Sequence, residues 1–229
     1  SNTVCLNGRP FPADVRRALG CEVRFANDAD CLALSEATDG AAAGAATVFA
    51  VILGTGVGGG IALGGRVVTG PNLIRGEWGH VPLPWPSARE YPGPPCYCGR
   101  RGCMETFVSG PGLENDFERA TGRRLSARDI AAAAQSGGAQ AAEARAARRR
   151  YAHRLARGLA MMVNILDPDV IVLGGGMSNM DFLYDSVPDL MRPWIFGGEF
   201  ATPLRKAAHG DSSGVRGAAW LADMVSAGD

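Results

Sequence analysis

The alternation of apolar and polar runs along the chain predicts strands that alternate with helices. Thr47 to Leu53 (TVFAVIL) is an almost unbroken β-branched and apolar run, which is typical of a buried strand. Val170 to Leu173 is a second such run, and shorter strands are predicted over 22–26 and 202–207. Ile61 to Val68 contains Gly64-Gly65 between two apolar stretches and therefore predicts a hairpin. Because this hairpin interrupts the alternation, we expect an α/β fold with a mixed sheet.

Apolar positions at helical spacing predict six helices. They cover 29–37, 105–120, 127–136, 140–166, 180–192 and a closing segment from about 214. Asn27-Asp28 occupy the N-cap position of the first. Residues 1–20 are polar with a turn at Asn7-Gly8 and predict no regular element, and residues 70–104 predict irregular structure.

The composition excludes several classes of protein. The 229 residues contain 46% hydrophobic and 20% charged residues, as in ordinary globular proteins. Lys+Arg and Asp+Glu balance at 23 each, so we expect no nucleic acid and no anionic membrane as a partner. No apolar run approaches the ~18 residues that a membrane span needs, and no signal pattern is visible at Ser1. We therefore expect a cytoplasmic protein.

Four residues have the spacing of a zinc site. His80, Cys96, Cys98 and Cys103 form the pattern H-x15-C-x-C-x4-C, and Gly99 and Gly102 supply the tight turns of a knuckle. Zinc prefers four nitrogen and sulfur ligands in a tetrahedron, and a Cys3His set is a common structural site. The sequence thus predicts structural Zn²⁺ in a knuckle over 80–103. Most glutamates are solvated surface residues, but Glu77 and Glu105 flank the knuckle on either side. This position favours a role in binding a ligand.

A glycine-rich segment, Gly54 to Gly60, follows the strand at 47–53 directly. It satisfies Gly-x-Gly-x-x-Gly, but a hairpin follows it instead of the helix that a dinucleotide site requires. A Walker loop is excluded because no Gly-Lys-Ser/Thr is present. The segment is interpreted as a turn whose amides face phosphate oxygens, in preference to a functionless flexible turn. Ser212 lies in a G-x-S-x-G pattern, but no histidine follows it, so a hydrolase elbow is rejected.

Asn27-Asp28 admit two interpretations on spacing alone. The simpler is helix capping, and the other is a general base, since strand–helix junctions often line clefts.

These motifs together resemble the ROK family of bacterial sugar kinases, in particular its fructokinase (manno/fructokinase) branch. The resemblance is carried by Leu6 to Phe11, Ala26 to Asp30, Gly54 to Gly60, Gly76 to His80, Cys96 to Glu105, Asn164 to Ser178 and His209 to Gly217. The cysteine knuckle with its flanking glutamates is the most specific part. One difference is Asp30, where the family more often has Asn, and we expect it to have little effect.

The resemblance implies an actin/hexokinase-like (ribonuclease H-like) fold of two lobes around a sugar cleft. It implies that Asp28 is the catalytic base, and that Asn27, Asp28, Glu77, His80 and Glu105 hold sugar hydroxyls. His80 would then use one ring nitrogen for zinc and the other for sugar. For ATP, it implies phosphate contacts from Gly54, Thr55, Gly56 and Gly58, and an adenosine pocket at Gly174, Gly175 and Gly176. It also implies Mg²⁺ and a homodimer.

The family's N-terminal strand and Asp-x-Gly-Gly-Thr phosphate loop are not found in this sequence. We therefore expect an incomplete N-terminal lobe over 1–45, completed by a closing helix at about 212–226, and a C-terminal lobe over 46–211. We also expect the 229 residues alone to bind zinc without phosphorylating a sugar. The expected reaction is conversion of fructose to fructose 6-phosphate by ATP. A sugar-responsive repressor of the same family and a non-catalytic sugar-binding fragment remain as alternatives.

Overall fold

A mixed five-stranded sheet lies at the centre of the protein, whose computed structural model describes residues 4–6 and 8–223. The strands are β1 (Thr47–Leu53), β2 (Val57–Leu63), β3 (Arg66–Val67), β4 (Val170–Gly174) and β5 (Leu204–Lys206), in the order β3-β2-β1-β4-β5. The hairpin strands β1, β2 and β3 pair antiparallel, whereas β4 lies parallel to both β1 and β5. The predicted mixed sheet is confirmed.

Helices cover both faces of this sheet. They are α1 (Phe11–Leu19), α2 (Asp28–Asp39), α3 (Glu105–Val108), α4 (Gly110–Thr121), α5 (Ala127–Ala133), α6 (Ala139–Leu166), α7 (Phe182–Met191) and α8 (Ser213–Asp223). The α2 and α8 helices pack together, and α2 lies on β1 and β2. The division into lobes near residue 45 stays a prediction.

The side chains of β1 alternate between two cores, as expected for a strand that is covered on both faces. Phe49, Val51 and Leu53 join the larger core, which includes the α6 residues Leu155 and Leu159. Val48 and Ala50 face the other way and join the smaller core with Leu32 and Ala33 of α2. The sheet therefore holds α2 in a fixed position relative to the end of β1, where the glycine-rich segment begins.

Four secondary-structure predictions are wrong in detail. Residues 22–26 have no partner strand and form no β-structure. Residues 11–19 form α1, which has Pro12 in its first turn and ends at Gly20 in the left-handed conformation, the usual helix boundary signals. The predicted helix 105–120 is two helices, because Ser109 leaves the helical conformation and caps α4. Gly58 to Gly60 lie in β2, so the turn itself covers only 54–56. The end of the predicted closing helix, 224–226, lies outside the described residues.

A buried carboxylate joins α2 to the segment before α8. Glu36 is fully buried and accepts hydrogen bonds from the amides of Ala41 (2.8 Å) and Ala208 (3.0 Å) and from Ser213 Oγ (2.8 Å). Three donors on one buried carboxylate satisfy much of its hydrogen-bonding capacity. The two helices are thereby held together by polar as well as apolar contacts.

Within residues 4–6 and 8–223, none of the helices combines the length and the apolar character needed to cross a bilayer.

Candidate functional site

The four predicted zinc ligands come together. One potential ligand atom from each of His80, Cys96, Cys98 and Cys103 lies within 4.8 Å of the other three. The Cys96 Sγ to His80 Nδ1 distance is 3.5 Å, and the Cys98 Sγ to Cys103 Sγ distance is 3.6 Å. A zinc tetrahedron with sulfur ligands has edges of about 3.8 Å. The donor set and its spacing thus fit Zn²⁺.

The thiols of this cluster differ in how readily they ionise, because the pKa of Cys98 is lowered whereas the pKa values of Cys96 and Cys103 are raised. Burial, followed by the neighbouring thiols of Cys98 and Cys96, raises the pKa of Cys103 to about 12. A bound cation would reverse this preference, because metal coordination deprotonates a thiol. Gly99 and Gly102 have φ angles of +86° and +70°, which confirms that they provide the turns of the knuckle.

The glycines of β2 allow two other segments to approach its backbone closely. A Cβ atom on Gly60 would collide with the backbone of Ala29 in α2. On the opposite face, a Cβ on Gly59 would lie 2.8 Å from the Gly76 carbonyl oxygen. These glycines therefore place the start of α2 on one side of β2 and the Gly76–His80 segment on the other. The glycine pattern in the sequence predicts phosphate binding for the whole run and does not indicate this packing role.

Asp28 begins α2 with an exposed side chain. The amide of Ala29 donates to Asn27 Oδ1 (2.8 Å) and to Asp28 Oδ1 (2.9 Å), so both residues contribute to the helix cap. Capping engages only one of the carboxylate oxygens, and Asp28 remains accessible to a ligand. The capping and general-base interpretations are thus compatible.

Asp30, two residues further along α2, was not predicted as a site residue. Burial, then the charges of Asp28 and Glu77, raises its pKa to about 6. Its Oδ1 atom is sealed from solvent and has no hydrogen-bond partner among the described residues. Asp30 is thus influenced by the charges of two candidate sugar-binding residues, Asp28 and Glu77, which are 49 positions apart in the sequence.

Glu105 and His80 connect the cysteine cluster to the glycine turn. Glu105 Oε2 accepts a hydrogen bond from the amide of Val57 (3.0 Å), directly after the turn. His80 Nε2 lies 2.8 Å from the hydroxyl of Tyr97 and thus already has a partner where a sugar contact is expected. Burial, followed by the charges of Glu105 and Glu77, raises the pKa of Tyr97. In the sequence, only the position of Tyr97 between Cys96 and Cys98 indicated its contact with His80.

The glycine turn has two amides available for a phosphate. Gly54 donates to the carbonyl of Gly56 (3.0 Å), and the Val57 amide is used by Glu105. Within the part of the chain that the structure describes, the amides of Thr55 and Gly56 have no recorded acceptor. Gly58 instead pairs with Ile52 in the β1–β2 ladder, so it is less suited to binding a phosphate.

A cavity of about 680 Å³ opens beside this turn. Gly54, Thr55 and Gly176 line it, whereas Gly174 and Gly175 pack behind it against Leu32 and Leu53. The volume is that of a typical ligand site. The sequence analysis missed the remaining wall, which comprises Gly110, Pro111, Glu114, Ala127, Arg128, Ala131, Met177, Asn179 and Met180.

A second cavity of about 490 Å³ lies beside the start of α2, and Asn27 and Asp30 line it together with Thr69 and Arg75. We name the two spaces the turn cavity and the α2 cavity. The candidate base Asp28, the glycine turn and the cysteine cluster thus lie around the same end of the sheet.

Comparison with known proteins gives one family and close relatives. The sequence profile described as the ROK family matches residues 2–225. An N-acetyl-D-glucosamine kinase of Vibrio cholerae is 40% identical over 224 residues, covering 96% of this chain and 73% of that protein. A counterpart of the same name from Haemophilus influenzae is 38% identical over 229 residues, with the same coverage.

Solved structures agree on the fold. A ROK hexokinase from Thermus thermophilus has a TM-score of 0.81 and 34% identity, over 94% of this chain and 71% of that one. A ROK family glucokinase from Streptomyces griseus, solved with glucose and AMPPNP, has a TM-score of 0.80 and 29% identity, over 94% and 72%. The predicted actin/hexokinase-like fold class is confirmed by this likeness.

Proposed function

Since the chain belongs to the ROK family, we propose that it serves as an ATP-dependent hexose kinase, with N-acetylglucosamine as its preferred sugar. Relatives that carry this sugar in their names are about 40% identical over nearly the whole chain. This replaces fructose, which the sequence analysis favoured, because those relatives are not named for fructose. A repressor has less support, since the similar proteins described above carry kinase names.

The observation that carries the proposal is the position of Asp28 relative to the glycine turn. Glycine backbone contacts fix the start of α2 against β2, the strand that leaves the turn. A sugar hydroxyl held near Asp28 would therefore lie close to a phosphate held by the amides of Thr55 and Gly56. Phosphoryl transfer depends mainly on such positioning and on stabilisation of charge.

In the proposed reaction, Asp28 accepts the proton of the sugar hydroxyl as that oxygen attacks the γ-phosphorus of ATP. The bond between the γ-phosphorus and the β–γ bridging oxygen breaks, and ADP leaves. Asn27, Glu77 and Glu105 orient the sugar through its other hydroxyls. The amides of Thr55 and Gly56 donate to phosphate oxygens. Mg²⁺ entering with ATP would neutralise phosphate charge.

The cysteine cluster is proposed to hold structural Zn²⁺ through His80 Nδ1 and the three thiolates. Among the described residues it is the only grouping of metal-ligating side chains found, and its soft donors suit zinc better than Mg²⁺. Its role would be to fix Glu77 and Glu105 in place.

ADP release with N-acetylglucosamine, glucose, mannose and fructose tests the proposal, on the 229-residue chain and on the product of the complete gene. We expect the highest kcat/KM for N-acetylglucosamine in whichever form is active. The absence of sugar-dependent ADP release from both forms would overturn the kinase assignment. A higher kcat/KM for fructose would overturn only the choice of sugar.

Asp28→Asn tests the base in the active form. We expect kcat to fall by about 10²–10⁴, the usual contribution of a positioned general base, with the sugar Kd nearly unchanged because the amide preserves shape and the cap. Asp185→Asn, at an exposed position on α7, is the control and should leave kcat unchanged. A near wild-type kcat for Asp28→Asn would mean that Asp28 is only a helix cap.

A further inference from the structure

A third cavity, distinct from the turn cavity and the α2 cavity, lies between α6 and α7. Its volume is about 490 Å³, and Arg145, Arg148 and Arg149 of α6 face Phe182 and Leu190 of α7 across it. We name it the α6–α7 cavity. Neither the proposed reaction nor the proposed zinc site uses any of these residues.

Arg148 is a half-buried cation without an anion. Its guanidinium carbon lies 3.8 Å from the centroid of the Phe182 ring, in a cation–π contact. Burial lowers the pKa of Arg148, and within the described residues no carboxylate lies within ion-pair distance of it. Other arginines of α6 are paired, for example Arg150 with Asp116. A partly desolvated charge without a partner is costly, and a ligand anion would remove that cost.

The positive charges around Arg148 strengthen the preference of this cavity for an anion. Arg145 lies three residues before Arg148 and four residues before Arg149 on α6, spacings at which like charges repel. Arg145 is held over the cavity by donating to the carbonyls of Ala134 (3.2 Å) and Ser136 (3.4 Å). Asp189 also lines the cavity, but its carboxylate is 81% exposed and lies 3.3 Å from Arg192. It therefore does little to neutralise the three arginines.

Much of the rest of the wall is apolar. Ala152 and Leu190 form this part together with the ring of Phe182, and Ser186 and the exposed His153 complete the wall. An apolar wall below a group of arginines suits a molecule with a planar apolar body and an anionic end. A guanidinium binds phosphate through two parallel N–H donors and stacks on planar groups, so both parts of such a molecule can contact Arg148.

We propose that the α6–α7 cavity is a binding site for an organic phosphate with a planar apolar body. The site is separate from the proposed ATP site, although the two are neighbours. Ala131 of α5 lines the turn cavity, and Ala134, just after the end of α5, lines the α6–α7 cavity. The experiment must therefore distinguish the two cavities.

Isothermal titration with phenyl phosphate, inorganic phosphate and phenol tests the proposal. We expect phenyl phosphate to bind more tightly than either of the others, because only it uses both the arginines and the apolar wall. Saturation with a non-hydrolysable ATP analogue should leave this binding in place. Equal binding of inorganic phosphate, displacement by the ATP analogue, or no phenyl phosphate binding at millimolar concentration would each overturn the proposal.

Arg148→Met keeps the apolar stem against Phe182 and removes the charge. We expect it to weaken phenyl phosphate binding by about tenfold or more, the contribution of a charge-assisted hydrogen-bonded pair. Arg128→Met, in the turn cavity, is the matched control and should bind phenyl phosphate as the wild type does. If Arg148→Met does not fold, Arg149→Gln, at an exposed position, should still weaken binding severalfold. An unchanged affinity in the folded variants would overturn the proposal.

Discussion

At the scale of single residues, Asp30 differs most from its expected role. The sequence analysis expected little effect from a carboxylate at this position. Its Oδ1 is sealed from solvent and has no hydrogen-bond partner within residues 4–6 and 8–223, and the neighbouring carboxylates of Asp28 and Glu77 oppose its ionisation. Such a group is a source of instability whenever it is charged.

Asp30→Asn should therefore stabilise the protein at neutral pH. The pKa of Asp30 is raised from 3.8 to about 6, so its contribution to stability is fully present below pH 3.8 and is lost as the pH rises through 6. The gain should be about 1 kcal/mol at pH 7.5, discounted for the solvent that reaches this half-buried carboxyl, and close to zero at pH 4. Urea unfolding at both pH values measures it. An equal effect of Asp30→Asn at the two pH values would show that ionisation of Asp30 is not its cause.

At the scale of elements, the three successive glycines of β2, Gly58 to Gly60, allow the segments of the candidate site to pack closely on this strand. Its glycines admit α2 on one face and the Gly76–His80 segment on the other. The same composition would suit a flexible loop, but here the residues are paired in a sheet and two of the three are buried. Their role is packing, which a Cβ atom would disrupt.

Gly60→Ala should destabilise the protein by about 1–3 kcal/mol, the usual cost of overpacking, because the added carbon collides with the backbone of Ala29. Since that collision displaces the start of α2, sugar affinity should fall as well. Gly137→Ala is the matched control, because no atom lies within 4 Å of its added carbon and its φ is not positive. Urea unfolding and sugar titration measure both variants. A Gly60→Ala protein as stable as the control would contradict the close contact.

The cysteine knuckle should carry one zinc ion per chain, measured by elemental analysis. Structural zinc contributes roughly 10–16 kcal/mol of apparent binding free energy in zinc-finger peptides, so Cys98→Ser should lose zinc and unfold 77–105 locally. Faster hydrogen exchange in this segment would report the unfolding. Cys21→Ser, at an exposed cysteine far from the cluster in sequence, should retain zinc. Purified wild type without zinc and with three reactive thiols would disprove the zinc proposal.

At the scale of the whole molecule, a network of ion pairs ties the loop between His80 and Cys96, which contains Glu90, to α6. Arg154 and Arg157 both contact Glu90 Oε1, at 2.8 Å and 2.7 Å, and Arg154 also contacts Asp116 Oδ1 at 2.8 Å. Although burial opposes ionisation, hydrogen bonds from Arg157 and Arg154 lower the pKa of Glu90 to about 2. The network thus stabilises the fold only while Glu90 is charged.

Glu90→Gln should cost about 2 kcal/mol of unfolding free energy at pH 7. Because the folded pKa is lowered from 4.5, the wild-type advantage is present above pH 4.5 and is lost as the pH falls towards 2. Acid unfolding of the wild type and the variant, followed by circular dichroism, should therefore converge at low pH. Glu22→Gln, whose side chain is 91% exposed, serves as the control. A constant difference between wild type and Glu90→Gln down to pH 2 would contradict the assigned pKa.

The sequence alone determined the features that depend on short-range patterns. The buried strands β1 and β4 follow from continuous β-branched runs, and the candidate zinc ligands from side-chain chemistry at fixed spacing. Only the tertiary structure decided which glycines of 54–60 form the turn and which lie in β2. A glycine-rich composition is compatible with both a closely packed strand and a phosphate-binding turn. It alone brought Asp28, Glu77 and Glu105 to one end of the sheet, because packing across β2 sets their separation. It also revealed Asp30 and Arg148, because the burial and pairing of a charge depend on neighbours that are distant in the chain.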